Sequence, residues 1–320
     1  MEMRIDTNTG KDCQVWRFSN ESGEGAMTGY MLFPGVMLLF NDFHMEYFDS
    51  AYEPHGNMLA IDHCREGRME YKAGKDTFSY VTAGDIKLDS RQTHTGRFVF
   101  PSGHFHGVTL AFACGSTSRQ MKNTAKSGFC GWKGVPAPED ILQKFSVGQY
   151  PVVLRGAENL DRIFSQMYQV PEEIRIPYLK AKVIELLLQL QMLKAPEAED
   201  GQLYFHRSQV EKVKAVHNFL MEHMEEAYTQ EEMAKRFDIG LTVMKQCHKF
   251  IYGETIGEWL TSYRMMRAAD MLTGRTDVSV AQIAGTVGYD SASKFAAAFK
   301  RSMGQTPTEY RMNRERTHLS

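Results

Sequence analysis

Two groups of residues in the last third of the chain could do chemistry on a polyanion. Lys235, Arg236, Lys245 and Lys249 face a single acid, Asp238, and Lys294, Lys300, Arg301, Arg311 and Arg314 face a single acid, Glu309. Local cation clusters of this kind neutralise phosphates and release their counterions. Within the first group, Thr242, Lys245, Gln246 and Lys249 recur at the spacing of one helix face. A glutamine there could pair bidentately with adenine, and a lysine could donate to O6 and N7 of guanine. The second group offers shorter groups, Ser291 and Ser293 beside Lys294, with Lys300 and Arg301 further along. Such groups suit backbone anchoring more than base discrimination. Over residues 208–315 as a whole acids and bases nearly cancel. Charge alone therefore fits a solvated helical face equally well.

A second chemistry is suggested in the first half, where His44, His55, His63, His94, His104 and His106 accumulate. His104-Phe-His106 would put two imidazoles on one face of a strand, as a metal requires. The residues that follow, Gly107 to Ala111, include no carboxylate, and a third ligand would have to come from elsewhere, for example His94. Ordinary strand or pocket histidines are the better reading, and neither a metal nor a cofactor is expected. No Ser-His-Asp order, phosphate-binding loop or dinucleotide fingerprint is present, so no catalytic residue is assigned and no enzyme is expected.

Composition bounds these readings. The chain has 320 residues, 42% hydrophobic and 24% charged, with a net charge of −2. That is ordinary for a soluble protein of about two domains, and any binding to nucleic acid must use local charge. The cysteines, Cys13, Cys64, Cys114, Cys130 and Cys247, are odd in number and form no C-x-x-C pair. This fits a reducing cytoplasm. The opening residues are polar, and the apolar tract Val183–Leu193 is broken by Glu185, Gln189 and Gln191. A soluble, cytoplasmic protein with no membrane partner is the expectation.

The elements that must position these residues follow from periodicity. Short β-branched and aromatic runs at Met58–Ile61, Thr77–Val81, Gly96–Phe100 and Gly107–Phe112, punctuated by glycine, predict a small barrel or sandwich. From Asn159 the spacing becomes helical, first through Leu160, Ile163, Phe164 and Met167, then through Val183, Leu186, Leu187, Leu190 and Leu193. The wide apolar face of this second helix predicts packing against another helix or the barrel, or pairing with a second copy. Lys194–Gly201 reads as a linker. Beyond it, Thr229 and Glu232 make a capping box. Short helix, turn and second helix then occur twice, about Gln230–Tyr252 with a turn at Gly240 and about Val280–Met303 with a turn at Gly288. Between them a helix over Ile256–Leu272 offers Trp259, Leu260, Tyr263, Met266 and Leu272 to a core. Two such units could enter successive major-groove faces roughly 34 Å apart.

The segment Ser279 to Arg311 resembles the C-terminal signature of the AraC/XylS family. Its most specific part is the ending Phe299-Lys-Arg-x-x-Gly304-x-Thr-Pro307-x-Glu-Tyr-Arg311, and Arg264 and Ala268 match as well. Met244 to Gly253 and Ser293 to Phe299 are similar to the siderophore-responsive, pyochelin-regulator branch. Cys247-His248 departs from the bulky apolar pair usual there, and His248 reads as a core or phosphate-neighbour residue rather than a metal ligand. The resemblance implies an α+β chain. It has a β-rich, cupin-like sensing domain (1–157), a helical dimerisation or connector region (158–194), a linker (195–206) and an all-α domain with two helix-turn-helix units (207–316). It also implies a transcription regulator with double-stranded DNA, RNA polymerase and a small-molecule effector as partners, and a homodimer. The effector-binding residues are unknown. The alternatives are a metal-dependent cupin-type enzyme, or an oligomerisation domain that senses nothing, fused to a DNA-binding tail.

Overall fold

The computed structural model describes residues 2–6, 13–50, 57–90, 96–114, 134–195, 204–274 and 278–317. His55, His94, Cys130 and most of the expected linker lie outside these ranges, as does the side chain of Arg314. The chain divides into two compact units, Met1–Phe205 and His206–Ser320.

In the first unit the strands are β1 (Glu2–Asp6), β2 (Cys13–Asn20), β3 (Gly23–Phe33), β4 (Val36–His44), β5 (Tyr47–Ser50), β6 (Met58–Lys72), β7 (Thr77–Thr82), β8 (Ile86–Ser90), β9 (Gly96–Val99), β10 (Phe105–Ala113) and β11 (Val152–Leu154). The order β1-β2-β3-β4-β10-β6 is antiparallel throughout. The strands expected from sequence all appear, but β6 runs 15 residues, and the strands before residue 50 carried no clear alternation. The far edge of β6 serves two partners, β8 along Leu59–His63 and β7 along Arg68–Lys72. Gly67 lies between these two stretches at φ +86°, where a Cβ would come within 2.2 Å of the His104 carbonyl oxygen. β11 pairs with β8, and β5 and β9 form a separate ladder.

Alternation gives the sheet two different faces. Leu38, Leu59, Ile61, Leu88, Val108, Leu110 and Phe112 share a core with helices α1 (Pro138–Lys144), α2 (Glu158–Ser165) and α3 (Arg175–Met192). The leucine face of α3 is thus buried within the chain, and Leu187 has no exposed surface. Of the packings open to that helix, those within the chain, against the sheet and against α1 and α2, are realised, so Leu187 is not available as a dimer contact. His63 helps to hold α2 in place. Its Nε2 lies 2.8 Å from Asp161 Oδ1, and its ring stacks on Phe164. The other face carries aromatic rings, with Phe100 stacked between Phe43 and Phe105.

After a two-residue strand, Phe205–His206, the second unit contains seven helices among the described residues. They are α4 (Arg207–Glu222), α5 (Gln230–Arg236), α6 (Leu241–Tyr252), α7 (Ile256–Gly274), α8 (Val280–Thr286), α9 (Ala292–Met303) and α10 (Pro307–Thr317). α7 buries Met265, Ala268, Ala269 and Leu272, whereas Met266, expected in the core, is half exposed. Met265, Ala268, Ala269 and Leu272 recur three and four residues apart on one stripe, and Met266 falls off it. α10, 11 residues long, closes the unit. Among the described residues no helix is long and apolar enough to cross a membrane.

Candidate nucleic-acid interface

The second unit repeats one construction. Thr229 Oγ1 accepts from the Glu232 N–H at 3.2 Å, and Glu232 Oε2 accepts from the Thr229 N–H at 2.8 Å. Fifty residues on, Ser279 and Gln282 form the same reciprocal pair at 3.2 and 2.9 Å. These boxes satisfy the free N–H groups that open α5 and α8. Each short helix then ends in a residue with left-handed backbone, Asp238 at φ 49° and Gly288 at φ 78°. The residue after it donates back into the helix, Ile239 to Ala234 O and Tyr289 to Ala284 O. The equivalent turn positions are thus Asp238 and Gly288. Gly240, expected to make the first turn, instead caps α6 with ordinary extended geometry.

α6 and α9 also stop alike. Gly253 and Gly304, both left-handed, donate to Lys249 O and Lys300 O. A second box follows each: Glu258 Oε2 accepts from Thr255 N–H at 3.0 Å, and Glu309 Oε2 from Thr306 N–H at 2.8 Å. Hydrogen bonds to Thr255 hold the Glu258 carboxyl below its usual range, with a smaller contribution from Lys249. Thr306 and then Lys300 do the same for Glu309.

The inner faces of these helices are packed. Met244, Cys247, His248 and Ile251 are buried on α6, and Phe295 and Phe299 on α9. Periodicity then forces the intervening residues outward. Thr242, Lys245, Gln246 and Lys249 are exposed on α6, and Ser293, Lys294, Lys300 and Arg301 on α9. Ser291 is half-buried, and its hydroxyl accepts from the Lys294 N–H, so it starts the helix. Two cations of the expected clusters are engaged within the fold. Arg311 donates through Nη2 to Val278 O at 2.8 Å, and the Arg236 guanidinium sits 4.2 Å over the Phe219 ring.

Sequence reasoning found Arg264 only as a matching position, not its role. From α7 it donates to Met224 O at 2.7 Å and Glu226 O at 3.0 Å, tying the loop before α5. The same guanidinium lies against Gly288, where a Cβ would meet Nη2 at 2.8 Å and Glu225 O at 2.9 Å. One side chain thus joins the connecting helix to both halves of the repeat.

His248 is a core residue. Its Nδ1–H donates to Glu254 O at 3.0 Å, which leaves Nε2 to accept from His217 Nδ1–H at 3.3 Å. The His217 ring stacks on Tyr252, with Trp259 on it as well. Burial pushes His217 down to about 3 and His248 to about 4, so both are neutral near pH 7.

In the first unit the expected pair on one strand face is not formed: His104 precedes β10 and its Nδ1 turns to Ser102 O, while His106, on β10, approaches Asp42 and His44 from β4.

Residues 233–313 match the family described as Helix-turn-helix domain. The chain is 26% identical over 103 residues to the HTH-type transcriptional regulator ExsA of Pseudomonas aeruginosa, covering 32% of this chain and 37% of that one. It is 30% identical over 99 residues to the virulence regulon transcriptional activator VirF of Yersinia enterocolitica, covering 30% and 36%. A longer match, 25% identical over 179 residues, is to the HTH-type transcriptional activator RhaS of Escherichia coli, covering 55% and 63%. The chain thus spans little more than a third of the length of the first two relatives. The repeated capped helix, left-handed turn and outward-facing second helix agree with these matches: residues 233–313 are a helix-turn-helix domain of the AraC type.

Proposed function

We propose that this chain is a sequence-specific DNA-binding transcription regulator of the AraC type, controlled by a small molecule bound to its N-terminal unit. One observation carries the DNA reading. Two helices built on the same scaffold each present lysines and short polar groups outward while their apolar residues are buried. On α6, Lys245 and Gln246 are the base-reading candidates, and Thr242 and Lys249 flank them. On α9, Ser293, Lys294, Lys300 and Arg301 grip backbone, with Ser291 fixing the start of the helix. The transcriptional regulators and activators named among the relatives support action on double-stranded DNA; contact with RNA polymerase and a cytoplasmic location belong to the same proposal. The branch placement rests on Met244–Gly253 and Ser293–Phe299 alone.

The N-terminal unit holds a buried polar row across its sheet. Asn41 Nδ2 donates to Thr109 Oγ1 at 2.9 Å, Thr109 donates to Asp62 Oδ1 at 2.6 Å, and Lys87 Nζ lies 3.1 Å from Asp62 and 3.2 Å from Asp89. Burying such ions costs several kcal/mol each before pairing, and the row pairs them internally, so small-molecule control rests on the family resemblance. Thermal shift of the full chain against small polar compounds tests this, since a ligand of the folded state raises the melting temperature.

The DNA reading is tested on sites recovered by genomic footprinting. Gln246→Ala is expected to relax preference at one base position by about 1–3 kcal/mol. Lys300→Ala is expected to weaken all sites alike and reduce the salt slope by about 1. Recovered sites without a common sequence, or a uniform loss with Gln246→Ala, would overturn the assignment.

A further inference from the structure

We propose that Asp42, His44 and His106 form a binding site for a divalent transition-metal ion on the helix-bearing face of the first unit's sheet, with Glu66 orienting His106. The register brings the residues together. His106 on β10 is paired with Asp42 on β4 and with Glu66 on β6, and His44 lies two residues beyond Asp42 on the same strand face. None of this was visible as a local motif, because the ligands come from two strands far apart in sequence.

The distances fit a common ion. Asp42 Oδ1 lies 3.1 Å from both His44 Nε2 and His106 Nε2, and all three ligand atoms lie within 4.8 Å of one another. Two ligands bound tetrahedrally at 2.0–2.1 Å sit about 3.3 Å apart. Direction argues the same way. His106 Nε2 is buried and makes no hydrogen bond, although a carboxylate oxygen is 3.1 Å away. A lone pair and a carboxylate aimed at a shared point, rather than at each other, give that geometry. His106 Nδ1 lies 3.5 Å from Glu66 Oε2. A carboxylate behind a histidine places the proton on that nitrogen and leaves the other to bind metal. Glu66 is itself held by Arg65 Nε at 3.2 Å.

Two imidazoles and one carboxylate select zinc, nickel, cobalt or copper over magnesium and calcium, which take oxygen ligands. Three protein ligands leave a fourth position open to water or another small ligand. Asp42 and His106 face away from Asn41 and Thr109 by strand alternation, so the site is separate from the buried polar row and does not rest on the effector reading.

The experiment is equilibrium dialysis of the full-length protein, stripped by chelator, against low-micromolar zinc chloride. His223 with Glu225 and Glu226 is the other described cluster able to hold an ion, so His223→Ala serves as control. The wild type and His223→Ala are expected to bind one more zinc per chain than His44→Ala or His106→Ala. Glu66→Gln is expected to weaken that zinc about 10- to 100-fold. The His44 side chain is 62% exposed, so its truncation leaves the fold intact, and zinc is expected to raise the melting temperature of the wild type but not of His44→Ala. Equal zinc stoichiometry in wild type, His44→Ala and His106→Ala would overturn the site, as would displacement of the zinc by equimolar magnesium.

Discussion

The two halves of the helix-turn-helix repeat share a backbone plan and differ in what fills it. At the first turn the left-handed residue is Asp238, with Lys212 Nζ 2.9 Å from Oδ2 and its side chain 98% exposed. At the second it is Gly288, pressed by Arg264 and the Glu225 carbonyl. An isolated left-handed position tolerates an aspartate, whereas one in close contact with another element requires glycine. The interiors differ too. The buried site four residues after a core position, Met244 on α6 and Phe295 on α9, is occupied by polar His248 in one and by Phe299 in the other. The first half is therefore held by a directed hydrogen-bond pair and the second by ring packing. Outside, Lys245 and Gln246 on α6 are longer and more discriminating than Ala296 and Ala297 at the matching places on α9.

The largest expected effect tests the aromatic half. Phe299→Ala should destabilise the second unit by about 3–5 kcal/mol in urea unfolding, and a loss under about 1 kcal/mol would show that ring packing is not what holds it. Acid should separate the halves next. His217 and His248 have pKa values depressed in the folded state, so the unfolded chain binds more protons below about pH 6.5. Stability from this pair is complete above that pH and is lost as pH falls toward 4, by up to about 1.4 kcal/mol per pH unit for each histidine. Melts recorded between pH 7 and 4.5 should show this loss, and a His217→Phe, His248→Leu double variant should flatten it. A flat profile in the unmodified protein would remove the distinction. Gly288→Ala should cost about 1–2 kcal/mol in backbone strain alone, with further loss from displacing Arg264, while Asp238→Gly should change stability by a few tenths. Equal effects at both turns would break the contrast. The smallest effect should be shared: Thr229→Ala and Ser279→Ala each remove one cap and should cost about 1 kcal/mol, detectable as similar shifts in urea midpoint.

Much of the second unit was legible because its signals are local. The T-x-x-E box at Thr229, the glycines at 253, 288 and 304, and the spacing of Phe295 and Phe299 each act within a few residues of themselves. Reading failed where a local signal had two uses. Gly240 resembles a turn glycine but caps a helix, and Asp238, an aspartate that tolerates left-handed backbone, makes the turn. Arg311 counted as a surface cation and instead donates to a backbone carbonyl. In the first unit, β2 to β4 escaped notice because their alternation is interrupted by polar residues such as Asn41 and Asp42, which the fold uses inside and outside the sheet.

Sequence alone determined the helices, their caps and the outward position of Lys245, Gln246 and Lys300, because helical periodicity and end chemistry depend on near neighbours in the chain. Tertiary structure decided which distant residues meet: Arg264 with Gly288, His217 with His248, Leu187 with the sheet, and His106 with Asp42 and His44. Strand register and helix packing set those meetings through the mutual fit of surfaces far apart in sequence, and no short window of residues contains that information.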